Sequence, residues 1–390
     1  MKTGGPYGMI RVLIDGRVAG SDGVGRYTRQ LTEALYRTSS PDVRITVLKP
    51  TGTPRYTRAE GTELAVAAQE CEANVVHLLD YRIPLESLDV PMVITIHDVF
   101  RATRPWLCYS DNEFAERFGV AGLRNLKDLT TAITTSHRGS EADLTGSGSA
   151  HRKFYRAMLD FACSQAQDVI VPTRTVGEQL RSLVGPTTGL TVSPYGVDHL
   201  ESHDDDRSPV AGVTGRYLLY VGQARSHKGL PKLCAAYLAS GAHDLGVPCV
   251  FVGCDFADAT YHAKWIRSQL GDAAVLRGKI DDATLAALYC NASALVHLAE
   301  DEGFGFTPLE ALTLGTRVVV HDLDVFRETL ADHAFYCKTG STQEIATLLN
   351  RLLRTPDDSS QKEMRARWAG RYTWKDHAKD ILCVYRRVGQ

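Results

Sequence analysis

The sequence predicts an α/β protein with two doubly wound domains in tandem, each built on a parallel sheet covered by helices. Short apolar runs alternate with segments of helical spacing, and this alternation is typical of parallel sheets covered on both faces. The pattern stops in a polar, acidic stretch at 201–209 and then starts again. A length of 390 residues also exceeds what one small core fills. We predict domains at 1–200 and 210–371, a linker at 201–209 and a closing helix at 372–390.

The first predicted domain begins with a strand at 10–14, a glycine-rich loop and a helix at 26–37. The loop has neither the GxGxxG fingerprint nor the lysine of a Walker motif, which excludes both of those phosphate-binding patterns. Gly23 and Gly25 would still let the backbone approach a ligand closely. A flexible connection explains the same glycines, and both interpretations stay open.

Polar residues follow a later strand of this domain. Further strands are predicted at 43–48, 75–79, 93–96 and 168–171. His97 and Asp98 come directly after the third of these. Side chains just beyond the carboxyl end of a parallel strand lie where α/β folds bind ligands. A lone histidine is also commonly a structural hydrogen-bonding group, so a site role and a structural role are both open.

Residues 101–150 are the least regular part of the first half and mix basic with aromatic side chains. An acceptor-binding or membrane-surface region would have this composition. A solvated helical insertion has it too, and we favour the insertion. The stretch 140–150 is rich in Ser and Gly and is expected to be a mobile loop.

The second domain restarts with a strand at 217–221, a polar loop and a helix at 230–238. Arg225 and Lys228 lie in that loop, at the carboxyl end of the strand. Two cations so placed can neutralise a diphosphate. Further strands are predicted at 248–252, 275–276, 294–298 and 318–320, with long helices at 342–353 and 362–388.

The most informative segment is Glu-Gly-Phe-Gly-Phe-Thr-Pro-Leu-Glu, from Glu302 to Glu310, between a predicted strand and a predicted helix. A glycine-rich turn before a helix offers N–H groups and a positive dipole end, which suit phosphate. Two carboxylates suit hydroxyls instead, so the segment indicates a ligand that carries both a diphosphate and a sugar. The alternative is a plain capping box, with Thr307 as N-cap, Pro308 as first helical residue and Glu310 three positions after the cap.

Composition excludes several classes of function. A formal net charge of −2 gives no general attraction for nucleic acid. No apolar run approaches the roughly 18 residues that span a membrane, and the N-terminus lacks an apolar signal segment. The nine cysteines form no paired motif, so we expect reduced thiols, no zinc site and a cytoplasmic location.

Taken in order, these motifs resemble glycosyltransferase family 4, the retaining group 1 enzymes of the GT-B fold. The resemblance covers nearly the whole chain and implies two Rossmann-like domains facing each other across a cleft. The resembling stretches are 23–28, 95–98, 194–198, 220–229, 302–310 and 372–374. Of these, 302–310 is the most specific.

The resemblance also implies roles for individual residues. Lys228 and Arg225 would hold the donor diphosphate, although Gln223 stands where many relatives carry an arginine. Glu302 would face the donor sugar or the reacting centre, and Glu310 would take the ribose hydroxyls. The turn between them would hold phosphate and sugar through Gly303, Phe304, Gly305, Phe306, Thr307 and Leu309.

In the first domain, the resemblance implies that Gly23 and Gly25 approach the diphosphate. His97 would meet the donor sugar, and Asp98 would lie nearby toward the acceptor. With Lys228 and Glu302, these two complete the expected catalytic set.

The implied reaction moves a hexose from a UDP- or GDP-linked sugar to a hydroxyl acceptor, with retention and without a metal or other cofactor. The acceptor classes are a soluble natural product, a polysaccharide or a lipid-linked saccharide, and peripheral membrane contact stays open. Two other classes remain: a sugar-nucleotide epimerase or phosphorylase of the same fold, and a nucleotide-sugar-binding protein without turnover.

Overall fold

The computed structural model describes residues 8–18, 23–38, 40–86, 88–136, 148–203, 210, 213, 215–257 and 260–390. Chain contacts divide the protein into two units. The first combines Met1–Tyr195 with Trp374–Gln390, and the second is Gly196–Thr373. Predicted linker residues 204–209 and predicted loop residues 140–147 lie outside the described part of the chain.

The first unit contains a six-stranded parallel sheet. Its strands are β1 (Ile10–Asp15), β2 (Val43–Leu48), β3 (Val75–Leu78), β4 (Met92–Thr95), β5 (Asp168–Val171) and β6 (Leu190–Val192). They lie in the order β2-β1-β3-β4-β5-β6. The helices that follow in this part of the chain are α1 (Gly23–Thr38), α2 (Arg58–Glu70), α3 (Phe100–Thr103), α4 (Asp111–Ser136), α5 (Ala150–Gln165) and α6 (Arg174–Val184).

The second unit contains another six-stranded parallel sheet, ordered β12-β11-β10-β7-β8-β9. Its strands are β7 (Leu218–Val221), β8 (Cys249–Val252), β9 (Ala274–Arg277), β10 (Ala294–His297), β11 (Val318–His321) and β12 (Phe335–Cys337). Its helices are α7 (Leu230–Ala239), α8 (Tyr261–Leu270), α9 (Asp282–Asn291), α10 (Phe306–Thr313), α11 (Asp324–Leu330), α12 (Thr342–Arg354) and α13 (Ser359–Ala369). The last helix, α14 (Trp374–Val388), belongs to the first unit and packs against α1.

The two parallel sheets confirm the predicted α/β class with two doubly wound units. The central strands are continuous apolar runs because helices cover both of their faces. Val75, Val93 and Val169 in the first sheet are fully buried, as are Leu218 and Leu295 in the second.

Each sheet has one place where the strand order reverses. In the first sheet it lies between β1 and β3, and in the second between β7 and β10. Helices on either side of such a switch point leave a crevice at the carboxyl ends of the strands, where open α/β sheets bind ligands. The fold therefore marks one candidate ligand position in each unit.

Three sequence predictions need correction. Helix α1 begins at Gly23 rather than at residue 26, so Gly23 and Gly25 lie in its first turn. The stretch predicted to be helical at 362–388 is interrupted at Gly370–Thr373, between α13 and α14. Strand β12 was not predicted. The region 101–150 is mostly helical where it is described, with a kink in α4 at Gly119, whose φ is 79°.

Candidate functional site

Lys228, His297 and Glu302 form a compact cluster at the switch point of the second sheet. Lys228 ends the short 3-10 turn Ser226–Lys228 after β7, and His297 is the last residue of β10. The Lys228 ammonium donates to Glu302 Oε1. The same oxygen lies 3.0 Å from His297 Nε2. The two strands that flank the switch point thus bring a cation, an imidazole and a carboxylate together.

The cluster keeps Glu302 ionised. Burial would raise the pKa of Glu302, but the charge of Lys228 and the hydrogen bond from His297 outweigh burial and hold that pKa well below its ordinary value. Burial also lowers the pKa of His297, so its imidazole is neutral near pH 7 and donates through Nε2. Side chains of Lys228 and Glu302 keep 20% and 18% of their surface exposed, so a ligand can reach them.

A glycine explains how the Lys228 loop comes so close to β10. Gly229 has a φ of 67°, and a Cβ at this position would lie 2.4 Å from the carbonyl oxygen of Leu298. The amide of Glu300 donates to the carbonyl of His227 at 2.8 Å and ties the loop to the segment after β10. Only glycine allows this approach at a left-handed φ, and the approach places Lys228 beside Glu302.

The capping-box interpretation of Thr307, Pro308 and Glu310 is wrong. Helix α10 begins at Phe306, and its N-cap is Gly305, which makes no side-chain capping hydrogen bond. Gly305 has a φ of 88°, and a Cβ there would approach the ring of Phe326 to 2.9 Å. The N-cap is thus two residues earlier than the predicted N-cap, Thr307. Glu310 is five residues from Gly305 and is too far along the helix to complete a capping box.

Glu310 is instead a buried carboxylate with polar neighbours, 2% exposed. Its Oε2 accepts a hydrogen bond from the hydroxyl of Tyr289 at 3.2 Å. Its Oε1 lies 3.3 Å from Nε2 of His199, on the 3-10 turn Asp198–His203. Sequence reasoning did not find Tyr289 or His199 because no spacing pattern connects them to Glu310. His297 was included in a predicted apolar strand, although its place at the strand's carboxyl end was a signal.

The other predicted donor residues of the second unit line the same turn and loop. Gly303, Phe304 and Leu309 are buried, and the Phe304 ring lies 5.3 Å from that of Phe306. The Arg225 guanidinium donates through Nε to the side-chain oxygen of Gln223 at 2.9 Å. Arg225 is thus hydrogen-bonded to Gln223, the residue found at the position where many relatives carry an arginine.

The predicted residues of the first unit make their described contacts within that unit. The hydroxyl of Tyr195 lies 2.8 Å from His97 Nδ1, and His97 Nε2 lies 2.9 Å from the Leu79 carbonyl, to which it can donate. The backbone carbonyl of Asp98 accepts from the hydroxyl of Tyr155 at 3.2 Å. Gly25 is buried and Gly23 is exposed. The roles predicted for these four residues stay predictions.

No group of three or more His, Cys, Asp or Glu side chains among the described residues is arranged to hold a metal ion. No helix among the described elements has both the length and the apolar character needed to cross a bilayer.

Sequence models of known families match both halves of the chain. Residues 22–196 match the sequence model of the glycosyl transferase 4-like domain, and residues 202–371 match that of glycosyl transferases group 1. The chain belongs to the group 1 glycosyltransferases.

Curated relatives of this glycosyltransferase align over part of their length. It is 38% identical over 206 residues to a phosphatidyl-myo-inositol mannosyltransferase of Mycolicibacterium smegmatis, covering 50% of this chain and 51% of the relative. It is 28% identical over 146 residues to the O-antigen chain mannosyltransferase RfbU of Salmonella typhimurium, covering 37% of this chain and 40% of the relative. The chain thus spans about half, or less, of the length of these relatives.

Solved structures resemble the glycosyltransferase over most of its length. Sucrose-phosphate synthase from Thermosynechococcus elongatus superposes with a TM-score of 0.66 at 17% sequence identity, covering 97% of this chain and 98% of that one. The similarity confirms the predicted GT-B fold.

Proposed function

We propose that this glycosyltransferase moves a hexosyl group from a nucleoside diphosphate sugar to a hydroxyl acceptor, with retention and without a metal ion. The observation that carries the proposal is the cluster of Lys228, His297 and Glu302 at the switch point of the second sheet. Helix α10 begins a few residues after Glu302, so a positive dipole end belongs to the same segment.

The leaving group sets the first chemical requirement. As the glycosidic bond breaks, negative charge develops on the diphosphate, and fixed positive groups lower the barrier by stabilising it. The ammonium of Lys228 has three N–H donors, one of which is directed at Glu302. Its other donors, the first turn of α10 and Arg225 are the groups that we assign to the diphosphate.

The sugar sets the second requirement, because glycosyl transfer passes through an oxocarbenium-like transition state. An ionised Glu302 stabilises positive charge on the sugar ring or accepts hydrogen bonds from its hydroxyls. A carboxylate with so low a pKa does not serve as a general acid near pH 7. The family resemblance suggests a front-face route, in which the leaving phosphate takes the proton of the acceptor hydroxyl, and this route needs no protonated carboxyl from the protein.

The remaining predicted residues take the roles that family resemblance gives them. Glu310 binds the ribose, and its contacts with Tyr289 and His199 hold the carboxylate in place. From the first unit, Gly23 and Gly25 approach the diphosphate, His97 contacts the donor sugar and Asp98 lies toward the acceptor. Because both ring nitrogens of His97 have partners, contact through the ring requires one of those hydrogen bonds to open.

The decisive experiment is a donor panel. Thermal shift and calorimetry with UDP-, GDP- and ADP-linked glucose and mannose should identify one tight donor; mannose is included because two relatives are named mannosyltransferases. Transfer should persist in EDTA, and NMR of the product should show the anomeric configuration of the donor. Epimerised or phosphorolysed sugar instead of a new glycoside, or donor binding without turnover, contradicts the proposal.

The cluster itself predicts two loss-of-function variants. Lys228→Ala and Glu302→Ala should each lower the transfer rate about 10²-fold, the effect of losing a few kcal/mol of transition-state stabilisation. Lys264→Ala is the matched control, since Lys264 is exposed on α8 of the same unit. Folded variants of Lys228 and Glu302 with wild-type rates would remove the cluster from the mechanism.

A further inference from the structure

The imidazole of His97 is held at both of its ring nitrogens. Its Nε2 lies 2.9 Å from the carbonyl oxygen of Leu79, which can only accept, so Nε2 carries the proton. A neutral ring then has its lone pair on Nδ1, 2.8 Å from the hydroxyl of Tyr195. Burial raises the pKa of Tyr195 well above its ordinary value, so the hydroxyl keeps its proton and donates to Nδ1.

The ring of Tyr195 is itself fixed by three aromatic neighbours, and the residue is only 1% exposed. Its ring centroid lies 4.5 Å from that of Tyr27 on α1 and 5.3 Å from that of His377 on α14. The Trp374 ring lies parallel to it, with 5° between the planes and 6.5 Å between the centroids. A ring packed on several sides has little freedom to move, so its hydroxyl stays where Nδ1 of the imidazole can accept from it.

Tyr195 and Trp374 stand where the chain leaves the first unit and where it returns. Tyr195 is the last residue of that unit's leading segment, and Trp374 is the first residue of its closing helix, α14. Two residues beyond Tyr195, already in the second unit, the amide of Val197 donates to the carbonyl of Tyr372 at 2.9 Å. The two connections are therefore paired, and this pairing holds the chain segments that carry the two parallel rings.

A sugar hydroxyl can hydrogen-bond to the ring of His97 only by separating one of its two partners from it. A hydroxyl both donates and accepts, so it can enter either hydrogen bond and satisfy both groups. Entry at Nδ1 requires the Tyr195 ring to move, and its three aromatic neighbours oppose that. Entry at Nε2 requires a shift of Leu79, which directly follows β3 at the carboxyl end of the sheet, where α/β folds bind ligands. Nε2 is therefore the nitrogen available to a donor sugar.

We infer that Tyr195 is a positioning residue of the glycosyl transfer: its hydroxyl keeps hold of Nδ1 and presents the Nε2–H of His97 to the donor sugar. Trp374 and His377 support it, so the chain's last helix serves the reaction through His97. The inference rests on the proposed contact between His97 and the sugar, and it names the nitrogen that makes this contact. Without the hydroxyl, the imidazole can take its other tautomer or rotate, and a catalytic contact tolerates displacements of only about 0.5 Å.

A double-mutant cycle on the full chain tests this role, with UDP- and GDP-linked glucose and mannose as donors. The measured rate is the release of UDP or GDP, whether water or another hydroxyl takes the sugar. Tyr195→Phe keeps the packed ring and should lower kcat about 10-fold or more, while the Kd for free UDP or GDP stays at the wild-type value. In a His97→Ala background, Tyr195→Phe should change the rate by less than about 2-fold, because it acts only through the imidazole. An equal fall in both backgrounds would make Tyr195 a structural residue only.

Tyr385→Phe is the matched control. Tyr385 is buried in the same unit, and its hydroxyl also lies beside a histidine Nδ1, that of His77, at 2.7 Å. This variant should release nucleotide at the wild-type rate below its melting temperature. A loss equal to that of Tyr195→Phe would show that any buried tyrosine hydroxyl of the unit has this effect, and the inference would be wrong.

NMR of isotope-labelled histidine side chains tests the contact itself, without substrate. The His97 signals, identified by their absence in His97→Ala, should show the Nε2–H tautomer in the wild type and a different tautomer balance in Tyr195→Phe. Unchanged His97 signals in Tyr195→Phe overturn the inference, as does nucleotide release at the wild-type rate or faster. A wild type that releases no nucleotide removes the transferase proposal and the role of Tyr195 with it, whereas normal release by Tyr195→Phe removes the role of Tyr195 alone.

Discussion

At the scale of single residues, the candidate site of the second unit depends on whether the Glu302 carboxyl group is ionised. Its carboxylate is mostly buried, and burial alone favours the protonated form. Lys228 reverses that preference, and the neutral His297 adds a hydrogen bond without adding charge. The arrangement prepares an ionised carboxylate beside a cation before any ligand is bound, which is the form that the proposed reaction uses.

This charge arrangement predicts a pH-dependent stability difference between the wild type and Glu302→Gln. The pKa of Glu302 is lower in the folded protein than its ordinary 4.5, so the ion pair stabilises fully above that value and less as pH falls. At pH 7 the variant should be less stable by about 2–3 kcal/mol, since it leaves Lys228 partly buried beside a neutral group. Urea unfolding at pH 7 and pH 4 should show the gap narrow by about 1 kcal/mol. A gap that does not change with pH would exclude an ionised Glu302 as its source.

Sequence reasoning found the charged residues of this site but not the residues that hold them. Lys228, Glu302 and Glu310 lie in recognisable motifs beside glycines. Tyr289, by contrast, lies on α9 among apolar residues, and His199 follows the first domain's last motif at no fixed spacing from Glu310. Contacts of this kind come from tertiary packing, which local spacing does not encode.

At the scale of elements, two left-handed glycines determine where the site's loops run. Gly305 starts α10, and Gly229 lets the turn after β7 touch the end of β10. The sequence shows that glycines are present, but it does not show which of them has a positive φ. That is why a capping box at Thr307–Glu310 stayed open as an alternative in the sequence, although helix α10 has no side-chain cap.

Gly229→Ala tests this account directly. Alanine at a left-handed φ costs about 1 kcal/mol, and its Cβ would also collide with the carbonyl of Leu298. We expect a total loss of about 3 kcal/mol or more in the free energy of unfolding, together with lower transfer activity, because Lys228 moves with the turn. Gly246→Ala is the matched control, with a φ of 64° and open space around the missing Cβ. An equal decrease in the free energy of unfolding in the two variants would show that the close approach to Leu298 does not contribute to the effect of Gly229→Ala.

Strands were predicted better than helix ends for a physical reason. Strand 168–171 was predicted with the bounds that the structure has, because it is fully buried and mostly apolar. Strand 43–48 was also predicted with its observed bounds, but it lies at the edge of the sheet, is only partly buried and alternates apolar residues with Arg44 and Thr46. Strand β12 was not predicted because it has only three residues, and two of them, Phe335 and Tyr336, are only partly buried. The break between α13 and α14 follows Gly370, and α14 belongs to the first unit whereas α13 belongs to the second.

At the scale of the whole molecule, the chain's last helix completes the first unit with buried polar contacts. Tyr385 of α14 hydrogen-bonds to His77 Nδ1 at 2.7 Å, across 308 residues of sequence. Also on α14, His377 contacts Ser193 at 2.7 Å and Tyr27 at 3.1 Å. Thr95 lies 2.8 Å from His77 Nε2. Residues of α14 therefore form part of the first unit's buried core.

These two histidines make the first unit sensitive to acid. Burial lowers the pKa of His77 and of His377 from 6.5 to about 3, so both are neutral when folded and become protonated more readily when unfolded. Between about pH 6.5 and pH 3, the unfolded state therefore binds more protons than the folded state. The free energy of unfolding decreases as the pH is lowered through that window. Two such groups predict a loss of about 2–3 kcal/mol between pH 7.5 and pH 5.5.

Hydrogen exchange of peptides from β3, β4 and α14, corrected for intrinsic rates, measures this loss in the first unit itself. His77→Gln and His377→Gln should each remove about half of the pH dependence, even where the substitution lowers stability at pH 7.5, because each removes one titrating group. The exposed His243 of the second unit provides the control His243→Gln, which should keep the wild-type slope. If protection in β3 and α14 falls as steeply with decreasing pH in both histidine variants as in the wild type, the acid sensitivity has another origin. The buried contacts of α14 then contribute to packing alone.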